Sequence, residues 1–230
     1  CLQCDAMLET SKLDLENVAV WIFDLDNTLY PASSDLGAQL GRRMGEFVAK
    51  FLDLPLDQAR VVQKHYFHTY GTTLRGLMVE KNLQPDEYLD YVHDLDLSDI
   101  DLDDRLGRAL AALPGRKLIY TNATNEHAAR VLRHLEIEHH FEASFDVVDG
   151  DFLPKPHRTP YDVLLDRYDV DPKRSVMVED IAKNLVPASE LGMGTVWVRG
   201  GRDLELGADH IDHVHHITDD LPAWLLDLSS

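Results

Sequence analysis

Asp24, Asp26, Asn27 and Thr28 put two carboxylates, an amide and a hydroxyl within five positions, directly after the apolar run Val18-Ala19-Val20-Trp21-Ile22-Phe23. Val, Ile and aromatic residues without polar alternation suit a strand buried on both faces of a parallel sheet. Ligands bind beyond the carboxyl ends of such strands, so this junction has the character of an active site. In extended backbone the side chains of Asp24 and Asp26 leave the same face and crowd one small volume. Two anions that close call for a cation. Mg²⁺ suits them, because it takes carboxylate, backbone carbonyl and water oxygens together and keeps open positions for phosphate oxygens.

The elements that must hold this junction follow from hydrophobic periodicity. Candidate strands cover residues 18–23, 116–121, 145–148, 175–178 and 195–198, with helices at 126–135, 159–168 and 181–191 between them. Such alternation predicts right-handed crossovers and an α/β, doubly wound, mostly parallel sheet. Between the first two strands lie about ninety residues, far more than a crossover needs. Helices are expected there at 41–52, 57–70, 74–82 and 85–95, with Pro55, Gly71 and Pro85 as punctuation. The expected organisation is a discontinuous core of residues 18–30 and 103–230, an inserted all-helical cap at 31–102, and an N-terminal tail at 1–17. Linkers near 31–36 and 98–103 are expected to act as hinges.

With 230 residues and 44% hydrophobic content, the chain suffices for a full core plus a modest second module. A formal charge of −19 argues against nucleic acid or an anionic membrane surface as partners. A small phosphate ester would need a locally positive site built from a metal, a lysine and backbone N–H groups. Cys1 and Cys4 are the only cysteines, so no disulfide framework is available and a reduced, frayed tail is expected. No basic segment followed by an apolar stretch opens the chain, and no apolar run approaches spanning length; the expected location is cytoplasmic.

Asp24-Leu25-Asp26-Asn27-Thr28 after an apolar strand resembles the first signature motif of the haloacid dehalogenase (HAD) superfamily. Three further motifs follow in order: Thr121 ending Lys117-Leu118-Ile119-Tyr120, Lys155 within Leu153-Pro154-Lys155-Pro156, and Glu179-Asp180 after Ser175-Val176-Met177-Val178. Singly, each has a duller account: Thr121-Asn122 as a helix cap, Lys155 as a loop lysine, Glu179-Asp180 as carboxylates at a helix start. Joint occurrence favours the site. The resemblance implies a Rossmann-like core with a helical cap and Mg²⁺-dependent phosphoryl transfer. Asp24 is then the nucleophile that forms an aspartyl-phosphate. Asp26 is the general acid and base, a role suited to a carboxyl raised by apolar surroundings. Thr121 binds phosphate oxygens, and Lys155 places positive charge on the nucleophile and the transferring group. The implied metal set is Asp24, Asp26 through its backbone oxygen, Asp180 and Glu179, the last either directly or through a bound water.

Asp26 argues against a haloalkanoate dehalogenase. Four stretches resemble the pyrimidine 5′-nucleotidase branch: Tyr30-Pro31 after the nucleophile loop, the cap run from Tyr66 to Leu77, Thr121 to Ala128, and Asp180 to Asn184. That likeness implies nucleoside 5′-monophosphates, UMP or CMP before others, as substrates. Tyr30, Tyr66 and Tyr70 are candidates to stack a base, Arg75 and Asn122 to hydrogen-bond it or the ribose, and Asn27 to meet the phosphate ester. Plain packing of the cap helices explains the aromatics equally well. A phosphatase for sugar phosphates or phosphoglycolate, a phosphomutase, and a silent small-molecule binding protein are the alternatives. His210, His213, His215 and His216 complete no known metal pattern and suit an exposed terminal strand.

Overall fold

The computed structural model describes residues 15, 17–200 and 211–228. Six strands, β1 (Val20–Phe23), β2 (Arg116–Tyr120), β3 (Ala143–Phe145), β4 (Ser175–Glu179), β5 (Gly194–Val198) and β6 (His216–Thr218), form one sheet in the order β3-β2-β1-β4-β5-β6. Every pairing is parallel. The chain runs outward from β1 to β2 and β3, then returns to the other side of β1 for β4 to β6. The order therefore reverses between β1 and β4, where diverging connections leave a crevice at the carboxyl ends.

Residue alternation assigns the two faces of β1. Trp21 and Phe23 pack with Leu106 and Leu110 of α5 (Asp104–Ala112), Val131 of α6 (Asn125–His134) and Leu225 of α9 (Leu221–Leu228). Val20 and Ile22 pack with Tyr161 and Leu164 of α7 (Arg158–Arg167) and Ala188 of α8 (Val186–Leu191). This is a three-layer α/β core with the sheet buried on both faces, as the unbroken apolar strands predict.

Between β1 and α5 lie α1 (Leu36–Leu52), α2 (Leu56–Tyr70), α3 (Thr73–Lys81) and α4 (Pro85–Val92). They bury a cluster of their own, with Phe47, Val48, Ala59, Tyr66, Leu77, Tyr88 and Leu89 at its centre, which Val147 joins from the loop after β3. Gly76 is required by a close approach: a Cβ there would lie 2.3 Å from Cγ of Tyr66. Gly71, at φ 84°, ends α2 in the left-handed region that glycine enters without steric cost.

Some boundaries differ from the sequence expectation for identifiable reasons. The helix expected from residue 41 starts at Leu36, which is buried in the core beside the sheet. The strand expected at 145–148 stops at Phe145, because the Asp146 carboxylate accepts from the N–H groups of Val148 and Asp149 and closes an Asx turn. The helix expected over 181–191 divides into a 3₁₀ turn (Ala182–Leu185) and α8, with Pro187 in the first turn of α8, where a missing N–H is harmless. Helices α5 and α9 were not expected. Of the three described terminal histidines only His216 lies in a strand, and all three are half-buried with separate partners. His213 meets the Ala182 carbonyl, His215 accepts from the Thr195 N–H, and His216 stacks on Trp224. Cys1, Cys4, the tail through residue 14 and His210 lie outside the described residues. No helix among the described residues is long and apolar enough to cross a membrane.

Candidate active site

The crevice between β1 and β4 collects the buried charges. Asp24 follows β1 and extends its pairing, its N–H donating to the Val178 carbonyl at 2.9 Å. Lys155 Nζ lies 2.6 Å from Asp24 Oδ1, 2.7 Å from Glu179 Oε2 and 2.9 Å from the Tyr120 carbonyl oxygen. These contacts use all three donors of the ammonium group. Thr28 Oγ1 donates to Asp24 Oδ2 at 2.9 Å, and the Ile181 N–H donates to Glu179 Oε1 at 3.1 Å. Side-chain exposures of 1% for Lys155, 9% for Asp24 and 1% for Glu179 place this triad away from bulk water.

Burial, reinforced by Glu179, pushes the Asp24 carboxyl up to about 7 against the opposing charge of Lys155. Burial also opposes charge on Lys155, yet Asp24 and Glu179 hold its ammonium well above the ordinary lysine value. Asp24, Glu179 and half-buried Asp180 bring carboxylate oxygens to within 4.8 Å of one another. One lysine does not offset three carboxylates. A hard divalent cation such as Mg²⁺ fits this all-oxygen donor set and relieves its excess negative charge.

Asp26 is differently placed. Its Oδ1 accepts from Tyr30 Oη at 2.6 Å and lies 3.0 Å from His127 Nε2. Burial works to raise this carboxyl, but the neighbouring His127 and the hydrogen bonds from His127 and Tyr30 override it and hold it down to about 2. The elevated carboxyl expected at Asp26 is thus found at Asp24. The Asp26 side chain is directed to Tyr30 and His127 and is absent from the carboxylate cluster.

The remaining candidates divide. Thr121 is buried at the end of β2, its Oγ1 accepting from the Ala123 N–H, and Asn122 Oδ1 accepts from the Lys155 N–H at 2.9 Å. Asn27 adopts φ 65° in the loop after β1, and its buried Oδ1 has no hydrogen-bond partner. Asn122 and Asp26 line a cleft of about 170 Å³ between the core and the helices, together with Leu40, Phe67, Leu74 and Val92. Tyr30 does not suit stacking: it is 4% exposed, packed in the sheet's core, with its hydroxyl on Asp26. Tyr66 is spent on Gly76, and Tyr70 donates to Glu80 and packs edge-on against Tyr66. Arg75 is half-buried in the first turn of α3, its N–H capped by Thr72, and it does not line the cleft.

Sequence reasoning gave no role to His127 and His93. His127 sits in the first turn of α6, its N–H capped by Thr124, and His93 stacks on its ring at 4.7 Å. Burial, with His127 nearby, lowers His93 to about 3. The available signal was position: a histidine in the helix that starts at the carboxyl end of β2 faces the same crevice as the residues after β1.

A doubly wound parallel sheet that gathers carboxylates and a buried lysine at its switch point defines an α/β protein with an acid–lysine site beyond its strand ends. The model of the haloacid dehalogenase-like hydrolases matches residues 18–192, and the chain belongs to that family. It is 27% identical over 196 residues to phosphate metabolism protein 8 of Saccharomyces cerevisiae, a match covering 77% of this chain and 60% of that protein. It is 29% identical over 97 residues to glyceraldehyde 3-phosphate phosphatase of Pyrococcus furiosus, covering 42% of this chain and 40% of that one. The chain thus spans less than two thirds of the length of these curated relatives. Among solved structures, the HAD hydrolase YfnB of Bacillus subtilis, bound to magnesium, superposes with a TM-score of 0.62 over 93% of this chain and 99% of that chain. At 13% identity that likeness concerns the fold.

Proposed function

We propose that the protein is a Mg²⁺-dependent phosphomonoesterase for nucleoside 5′-monophosphates, UMP and CMP before others. The observation that carries hydrolysis is the Asp24 carboxylate, buried at the switch point and bonded by Lys155 and Thr28 with Asp26 two residues on. An Asp24 oxygen attacks phosphorus in line; the new P–O bond forms as the ester P–O bond breaks and the alkoxide leaves with a proton from Asp26. Asp26 starts as the carboxylate and, as the anionic phosphate beside it raises its proton affinity, takes that proton from solvent or from the monoanionic ester before passing it to the leaving oxygen. In the second step Asp26 takes a proton from water, which attacks the aspartyl-phosphate and returns Asp24 with release of phosphate. Lys155 and the Thr121 hydroxyl stabilise the charge that develops on the phosphoryl oxygens. Asp24, Asp180 and Glu179, with the backbone oxygen of Asp26, would hold Mg²⁺, which supplies neutralisation of the phosphate's negative charge.

The cleft supports the nucleoside reading. Leu40, Met44, Phe67, Leu74 and Val92 line it, and no Lys or Arg does. An uncharged leaving group with a flat face suits such walls, whereas the carboxylate of phosphoglycolate or a second phosphate finds no cationic partner there. The name of the archaeal relative favours a small sugar phosphate as the second reading. The deciding measurement is phosphate release from UMP, CMP, dUMP, dTMP, AMP, GMP, phosphoglycolate, glyceraldehyde 3-phosphate and hexose phosphates, with Mg²⁺ and with EDTA. Release led by pyrimidine monophosphates and abolished by EDTA is expected. Release led by another ester discards the nucleotidase reading, and release unaffected by EDTA discards the metal. Silence on every ester brings forward a phosphomutase or a binding protein.

A further inference from the structure

Both hydrogen bonds that hold Asp26 fall on one oxygen. Tyr30 Oη and His127 Nε2 converge on Oδ1, while Oδ2 accepts no hydrogen bond from any described residue. Asp26 also lines the cleft, so the oxygen left without a partner is the one available to a leaving group. Two donors from different directions on one carboxylate oxygen fix the rotation of the whole group, which a single hydrogen bond does not.

The His127 ring is itself held in place. It is 2% exposed, and His93 stacks on it at an interplanar angle of 20°. His93 ends α4, and the chain returning from the helical insertion is fastened along one face of α6. Arg130 donates to the carbonyls of His93 at 2.8 Å and Leu95 at 2.9 Å, and His134 Nε2 lies 2.9 Å from the Ile100 carbonyl. His127, Arg130 and His134 recur at helical spacing, so one stripe of α6 carries both the support of Asp26 and the anchor of the insertion. The hinge expected at 98–103 is therefore pinned at its start. His127 Nδ1 is buried without a partner, an arrangement that packing alone does not favour and that an apolar residue would avoid.

We propose that His127, backed by the stacked ring of His93, is a positioning residue for Asp26: with Tyr30 it immobilises Oδ1 and presents Oδ2 to the leaving-group oxygen. The proposal rests on the phosphatase reading above. It predicts a loss that depends on the leaving group, since an alkoxide needs a proton as it departs and p-nitrophenolate does not.

The test compares His127→Ala and His127→Gln with wild type on p-nitrophenyl phosphate and on the best alkyl phosphate of the panel, UMP first. Because kcat/KM reports the steps through formation of the phosphoenzyme, the split appears there. His127→Ala is expected to lower kcat/KM for the alkyl ester about 100-fold and for the aryl ester less than about 3-fold. His127→Gln, whose amide can donate to Oδ1, is expected to recover the alkyl ester to within about 10-fold of wild type. Equal losses on both esters, or a Gln variant no better than Ala, overturn the proposal. A crystal structure of His127→Ala supplies a readout free of activity: the Asp26 carboxylate is expected in more than one rotamer, and retention of its single conformation also overturns the proposal. Wild-type silence on both esters would sink the phosphatase reading alone, and the crystal structure would still decide the role of His127.

Discussion

The strand-end floor of the site and the helical insertion above it are held together by different forces. On the floor, the three donors of Lys155 and both oxygens of Asp24 and Glu179 have partners, and all three side chains are nearly sealed from water. In the insertion the interior is apolar: Phe47 meets Tyr88 edge-on at 5.0 Å, Tyr66 lies against Gly76, and polar contacts such as Tyr70 to Glu80 are exposed. In the charged interior the costly change is loss of one partner, which leaves a buried charge uncompensated, whereas in the apolar one it is a change of volume or the entry of any polar group. On the proposed function, the floor carries the reaction and the insertion lines the side of the cleft that the leaving group would occupy.

The strongest way to break this contrast is Asp24→Asn. Removal of the proposed nucleophile is expected to cost at least about 10⁴-fold in turnover. Stability should barely change, because the amide keeps the volume, its oxygen can still accept from Lys155, and the change removes one of three carboxylates that share a single lysine. Residual steady-state activity near wild type would remove Asp24 from the role of nucleophile. Lys155→Met tests the floor in the opposite sense, keeping the volume and deleting the charge. Two buried carboxylates then lose their counter-ion, and denaturant unfolding should show a loss of about 3–5 kcal/mol at pH 8. Asp24, already raised to about 7 by burial, takes up a proton as the pH falls, so the deficit should shrink by pH 5. A deficit independent of pH would mean that Lys155 acts through packing and not through charge.

The floor was legible in the sequence because Asp24, Thr121 and Glu179 end apolar runs and Lys155 follows in a loop between them, in the order of four motifs. Each of Thr121, Lys155 and Glu179 has a duller account taken singly, and their occurrence in order with Asp24 marked the site, while the alternation of strands and helices implied the sheet that gathers them. The environment of Asp26 was not legible, since it depends on His127, 101 residues away in the chain. Nothing local distinguishes a carboxyl facing apolar residues from one facing an imidazole. The roles of the aromatics were hidden for a related reason. Tyr30 and Tyr66 carry the same ring as a stacking residue, and only tertiary packing shows one hydroxyl turned to Asp26 and the other ring pressed on Gly76.

Arg75 gives the smallest and most discriminating test. It sits in an insertion otherwise held by apolar contacts, in a chain of net charge −19, yet its guanidinium has no hydrogen bond or ion pair among the described residues. Its immediate neighbours Thr72, Thr73 and Leu74 line the cleft beside Asp26. Arg75 does not itself line the cleft, so it can meet a neutral polar group on the leaving side of the substrate only if its side chain turns toward that wall when substrate binds. Arg75→Ala should therefore raise KM for UMP by about 5- to 10-fold with kcat unchanged, the pattern of lost uniform binding. It should leave p-nitrophenyl phosphate kinetics unaltered and stability within about 0.5 kcal/mol of wild type. An equal rise in KM for both esters would place Arg75 with the phosphate and not the leaving group. No rise for either would leave substrate choice to the apolar walls alone, and the insertion would then select by shape without a charged contact.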